Sequence, residues 1–177
     1  MRKSMRTLWV VLGCLTATAG YAQEVVVENG RIIIDASAIP HTKFKKARDT
    51  DGTNTTLGTN DENNIGSAVS DEQVYYRFEL SAARFSATWL DAVNRCKDLA
   101  DDGGGWRLPT LREAILIYIL WPELRQAGLT GVAGGTATEA GGGGNTFPYV
   151  RYNDTGAIVM GAKNVSTNKY FRCIRDL

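Results

Sequence analysis

Trp106-Arg107-Leu108-Pro109-Thr110-Leu111-Arg112-Glu113 is the stretch from which the rest of the chain is best read. Thr110 and Glu113 stand three apart just ahead of an apolar run, the spacing at which a hydroxyl and a carboxylate satisfy each other's free backbone amides and start a helix, with Pro109 just outside. The spacing predicts a helix over 111–120. From Ala114 onward it is apolar nearly all the way round, so it must be deeply buried or covered by a partner. Pro122 is expected to stop it soon after Trp121. Upstream, Gly103-Gly104-Gly105 closes another helix, in which Trp89, Ala92, Val93, Cys96, Leu99 and Ala100 recur at helical spacing behind a cap at Ser86 or Thr88. Before that helix, Val74 to Leu80 alternates as a strand, with Val74, Tyr76, Phe78 and Leu80 on one face.

Downstream, eight of the seventeen residues from Gly128 to Gly144 are glycine, too many for an ordered helix. The four from Gly141 point to a mobile loop. No Gly-Lys-Ser/Thr follows, so the run is no nucleotide loop. Phe147 to Tyr152, Ala157 to Met160 and Lys169 to Arg175, separated by polar turns, are expected as three successive antiparallel strands. At the other end, Glu24 to Glu28 and Arg31 to Ile34 flank Asn29-Gly30, a dipeptide that tolerates positive φ at both turn positions, which predicts a hairpin. The expected organisation is an export signal over 1–22, the hairpin and a basic flank (His41, Lys43, Lys45, Lys46, Arg48) over 23–48, a polar linker or loop over 49–71, and an α+β domain over 72–177. That domain is expected to hold two helices and a small antiparallel sheet.

Export is read from Arg2, Lys3 and Arg6 ahead of the apolar Leu8 to Leu15, then Gly20-Tyr21-Ala22, a small-x-small cleavage pattern that leaves Gln23 first. A run that short does not span a bilayer, and no transmembrane helix is expected afterwards. Val11-Leu12-Gly13-Cys14 offers an alternative, a lipobox anchoring the protein at Cys14. The whole chain is formally +1, and its first 22 residues hold three positive charges and no acid, leaving −2 for the rest. So balanced a charge excludes bulk attraction to nucleic acid. Beyond the signal only Cys96 and Cys173 remain, and in an oxidising compartment a disulfide is the expectation, two buried thiols the alternative. Closing a loop of that size would stabilise the fold by about 4.5 kcal/mol on the chain-entropy model. With His41 the single histidine, neither a zinc site nor a Ser-His-Asp arrangement is expected, and no enzyme.

Taken in order, Trp89…Ala92…Cys96, Gly105 to Glu113, Thr136-Ala137-Thr138-Glu139 and Tyr170 to Arg175 resemble the Lcl C-terminal domain family, bacterial exported proteins of C-type-lectin-like fold related to cell-surface and fimbria-associated modules. The resemblance spans about Val74 to Leu177. It implies a disulfide between Cys96 on the helix and Cys173 on the last strand, and a structural role for Trp106, Arg107, Leu108 and Pro109. The chain departs from the family at Gly134-Gly135, where members usually carry an aromatic pair. Calcium, which in the wider superfamily is held by acidic and amide side chains, would here call on Glu139, Asn145, Asn153 and Asp154; an ordinary turn accounts for the last two, and no cofactor is expected. The resulting expectation is an exported, non-catalytic adhesion module at the cell surface, in the periplasm or outside the cell. It would bind a glycan or a surface or matrix protein through the Gly128 to Tyr152 region. Tyr149, Arg151 and Tyr152 lead the ligand candidates because aromatic and arginine side chains supply most contact energy; Glu139 and Asn145 complete them. A structural subunit of a filament or envelope assembly, pairing strands through the hairpin, is the alternative.

Overall fold

The computed structural model describes residues 24–38, 77–138, 146–152, 156–165 and 169–177. Outside them lie the signal and lipobox, the basic flank from His41 to Arg48, the linker 49–71, Val74 to Tyr76, Glu139, Asn145, the four glycines from Gly141, and Asn153 to Thr155. The described chain is mixed α and β. Its framework is a five-stranded antiparallel sheet in the order β1-β2-β3-β9-β5, built from Glu24–Glu28, Arg31–Asp35, Arg77–Leu80, Ile174–Asp176 and Trp106–Arg107. The hairpin forms as its dipeptide dictates, with Asn29 at φ 52° and Gly30 at φ 79°. It is no separate appendage: β2 pairs along β3, with Ile34 opposite Phe78.

Strand alternation sorts the sheet into two chemistries. One face presents Ile32, Ile34, Phe78, Leu80 and Ile174 to Leu116, Ile117, Leu120 and Leu124 of the helices. The other presents interleaved charges, in which Arg77 meets Glu28 at 2.7 Å and Asp35 at 3.1 Å, and Arg175 meets Glu79 at 2.5 Å. Opposite charges on neighbouring strands stabilise pairing where like charges would oppose it.

Helix α1 (Trp89–Lys97) is capped by Thr88, whose hydroxyl accepts from the Asp91 amide; Ser86 belongs instead to β4 (Phe85–Ser86). Trp89, Ala92, Val93 and Cys96 are buried, whereas Ala100 lies beyond the helix and is exposed. Helix α2 (Leu111–Ile119) carries both bonds of the Thr110/Glu113 capping box. The expectation of two helices, ended by Pro122, is corrected here. Pro122 sits in the first turn of a third helix, α3 (Trp121–Gln126), where its missing N–H costs nothing and its fixed φ suits the start. That helix closes on Gly128, at φ 97°, as the Gly128 amide donates to the Arg125 carbonyl and the Leu129 amide to the Leu124 carbonyl.

The three successive strands at the end are also corrected. Strand β6 (Thr146–Val150) does pair with β7 (Ile158–Ala162), but the last segment does not join them. It divides at Arg172-Cys173: β8 (Tyr170–Phe171) pairs with β4, while β9 enters the main sheet between β3 and β5. Cys173 therefore lies between strands, where a disulfide joins it to Cys96. Both cysteines are buried in a second core with Phe85, Trp89, Trp106, Leu108, Phe147 and Phe171.

Candidate functional site

The segment 134–138 is where the motifs of the sequence meet. It has no regular structure, yet Thr136, Ala137 and Thr138 are buried, and their polar groups are spent on neighbours. The Trp89 indole donates to the Thr136 carbonyl at 2.9 Å, the Thr136 hydroxyl donates to the Pro148 carbonyl at 2.7 Å, and the Ala137 amide donates to the Pro109 carbonyl at 2.8 Å. The Leu111 amide, one of the free donors at the start of α2, is taken by the Thr138 hydroxyl. Gly134 and Gly135 make this possible. A Cβ on Gly134 would lie 1.8 Å from the Val150 carbonyl oxygen, and one on Gly135 would lie 2.2 Å from the Phe171 ring. The glycine pair thus lets 134–138 run against β6 and Phe171.

Arg107 belongs to the same framework. Its guanidinium grips Glu113 with two bonds, at 2.7 and 2.8 Å, and reaches Asp176 at 2.5 Å, tying α2 to both β5 and β9. Burial alone would lower its pKa, but Glu113 and Asp176 outweigh that and hold it above the ordinary arginine value.

Two sets of arginines contrast here. Arg31, Arg77, Arg107 and Arg175, all on the main sheet, are each ion-paired with a carboxylate. Arg84 and Arg151, which flank Tyr149, and the buried Arg172 near Arg84 have no carboxylate partner among the described residues. Arg84 lies 4.0 Å over the Tyr170 ring and donates to the Val132 carbonyl at 2.9 Å. Arg172 is buried and held by carbonyls alone: Ser81, Ala82 at 2.7 Å, Thr130 at 2.6 Å and Gly131 at 2.9 Å. Burial brings its pKa down to about 10, Arg84 adding in the same direction and Tyr152 opposing.

Tyr149 is half-buried between these charges, with its hydroxyl hydrogen-bonded to the Tyr170 backbone. Burial pushes that hydroxyl above its ordinary pKa, against the pull of the Tyr170 bond and of Arg84 and Arg151. Arg151 itself is exposed. The structure therefore brings Tyr149 and Arg151 together with Arg84 and Tyr170, as a surface of phenol rings and cationic donors suited to an acceptor-rich or anionic ligand.

Tyr152 turns away from that surface. Its ring meets Tyr118 and Trp121 edge-on at 5.2 and 5.5 Å, its hydroxyl is buried without a partner among the described residues, and burial raises its pKa. Glu139 and Asn145 lie outside the described residues. Arg84, Tyr170 and Arg172 were not among the ligand candidates of the sequence, where Tyr170 and Arg172 figured only in the Tyr170 to Arg175 strand and motif; the one local signal was a charged residue, Arg172, set between the apolar Phe171 and Cys173. Among the described residues, no three His, Cys, Asp or Glu side chains gather as metal ligands, and no helix is long and apolar enough to cross a membrane. Comparison with protein-family models, with curated proteins and with solved structures returns no match for this chain.

Proposed function

We propose that this protein is an exported, non-catalytic binding or adhesion module of C-type-lectin-like kind, akin to the Lcl C-terminal domain family, that engages a glycan or a surface protein. The observation that carries the reading is the charge around Tyr149: among the described residues Arg84 and Arg151 meet no carboxylate and lie beside the Tyr149 and Tyr170 rings, while each arginine of the main sheet has a carboxylate at 3.7 Å or closer. Uncompensated guanidinium groups beside aromatic faces attract acidic or hydroxyl-rich ligands and give them both charge and stacking contacts. Calcium has no part in this reading. In this reading the protein acts at the cell surface, in the periplasm or outside the cell.

The test is binding of the purified protein to a glycan and matrix-protein array, with calcium and then with chelator. Specific signal that survives chelator and falls at least tenfold in Arg151→Ala or Tyr149→Ala supports the reading. A blank array from folded, disulfide-bonded protein overturns it. In that event a second observation gains weight: among the described residues β1 pairs only with β2, and Val27 is 55% exposed on this edge strand. An envelope or filament subunit adding a strand there would need basic residues facing Glu24 and Glu28, and crosslinking in cells would detect it.

A further inference from the structure

The charged face of the main sheet ends in a cleft of about 200 Å³ between the hairpin turn and the loop that follows α1. Its lining places Arg31 on the hairpin side and Asp101 and Asp102 on the other, with Glu79 between them. Elsewhere on this face Arg77 closes on Glu28 at 2.7 Å and on Asp35 at 3.1 Å. At the cleft Glu79 is already taken by Arg175 at 2.5 Å, and the outer contacts to that pair are long: Arg31 stands 3.7 Å from Glu79, and Asp102 stands 3.9 Å from Arg175. Arg31 is a third exposed and Asp102 more than half exposed, so each offers unused hydrogen-bonding capacity to the cleft. Behind the lining, Arg175 keeps a buried Nε without a partner among the described residues.

The loop is held in shape from within. Asp102 adopts φ 51°, and its carbonyl accepts from Arg175, while the Asp101 carbonyl accepts from the Trp106 indole at 2.8 Å. Both aspartate backbones are thus fixed by residues of the sheet, which leaves the side chains as the variable part. Ile32 and Leu80 add apolar lining. The volume is below the roughly 300–1,000 Å³ of pockets that take drug-sized ligands, so the occupant is smaller.

We propose that this cleft binds a small zwitterion, an α-amino acid or short peptide, with its carboxylate on Arg31 and its ammonium on Asp101 and Asp102. A guanidinium receives a carboxylate through paired N–H donors, and two carboxylates opposite it select a cation at the other end of the same molecule. The site is separate from the Tyr149 surface and stands or falls independently of it.

The experiment is isothermal titration calorimetry of the purified protein with leucine and glycyl-leucine, and with N-acetyl-leucine and leucinamide, which each lack one charge. Saturable binding is expected for a zwitterion, weakened at least tenfold when either charge is blocked. Arg31→Gln and Asp102→Asn should each reduce it at least tenfold with the melting temperature unchanged; asparagine tolerates the left-handed backbone at 102. Arg151→Ala should leave it intact. The proposal is overturned if folded protein binds neither zwitterion, or if binding is indifferent to the blocked ligands or to both cleft variants.

Discussion

Gly134→Ala tests the reading of the 134–138 segment most directly. The added methyl would sit 1.8 Å from the Val150 carbonyl oxygen, and ordinary contact begins at 3.4 Å, so backbone must move by about 1.6 Å. The obstacle is a carbonyl of β6, not the end of a flexible side chain, and it cannot rotate away. Moving β6 strains two bonds that join it to this segment: the Val150 amide to the Gly134 carbonyl at 2.9 Å, and the Thr136 hydroxyl to the Pro148 carbonyl at 2.7 Å. Overpacking costs about 1–3 kcal/mol and each bond about 1 kcal/mol, against roughly 0.4–1 kcal/mol regained by restricting the unfolded chain. The expected loss is about 2–4 kcal/mol, a large part of the stability of a small domain. Gly128→Ala is the control: φ is 97° there, but no atom lies within 4 Å, so only the backbone penalty of roughly 1–2 kcal/mol applies. Urea unfolding followed by tryptophan fluorescence, with the m-value compared between variants, measures both. If Gly134→Ala is within about 1 kcal/mol of the parent, or no worse than Gly128→Ala, the close approach of this segment to β6 is refuted.

Glu113→Gln should cost about 3–5 kcal/mol in the same assay, because Arg107 stays buried with one carboxylate fewer, while glutamine still serves the capping box; a change under 1 kcal/mol would contradict the pairing. Tyr152→Phe should be neutral or raise stability by about 1 kcal/mol, since it deletes a buried hydroxyl that has no partner; a marked drop in melting temperature would show a bond there. The Ser37 hydroxyl holds the Asp35 carboxyl below the usual carboxylate range, the Ser37 amide and Arg77 assist, and partial burial opposes them. Its contribution is therefore present above pH about 4 and lost as pH falls through the lower folded value. Ser37→Ala should flatten that acid limb, and stability curves of the two proteins that stay parallel from pH 5 to pH 2 would argue against the linkage.

The parts legible in advance were those settled within a few residues. The capping box, the Asn-Gly turn and the burial of Trp89, Ala92 and Cys96 depend on local bonding and on helical or strand period, and they appear where those rules put them. Pro122 was legible as punctuation but not in its sense, since proline both ends one helix and opens another; the choice rests on Leu120, which caps α2 and precedes α3, and on the Gly128 closure. The division of the last strand could not be read from Tyr170 to Arg175, because two- and three-residue strands carry almost no period of their own and take their partners from β4, β3 and β5. The site shows the same limit. Residue type alone singled out Tyr149 and Arg151, but Arg84 reaches that surface, and Arg172 is buried behind it, through contacts spanning tens of residues, Arg84 to Val132 and Arg172 to Ser81 and Thr130. Sequence by itself determined the elements whose bonds close locally, the hairpin and the two capped helices. Only the tertiary structure decided which arginines meet a carboxylate and which are left open, because charge pairing is settled by distance in space, and distance along the chain is silent about it.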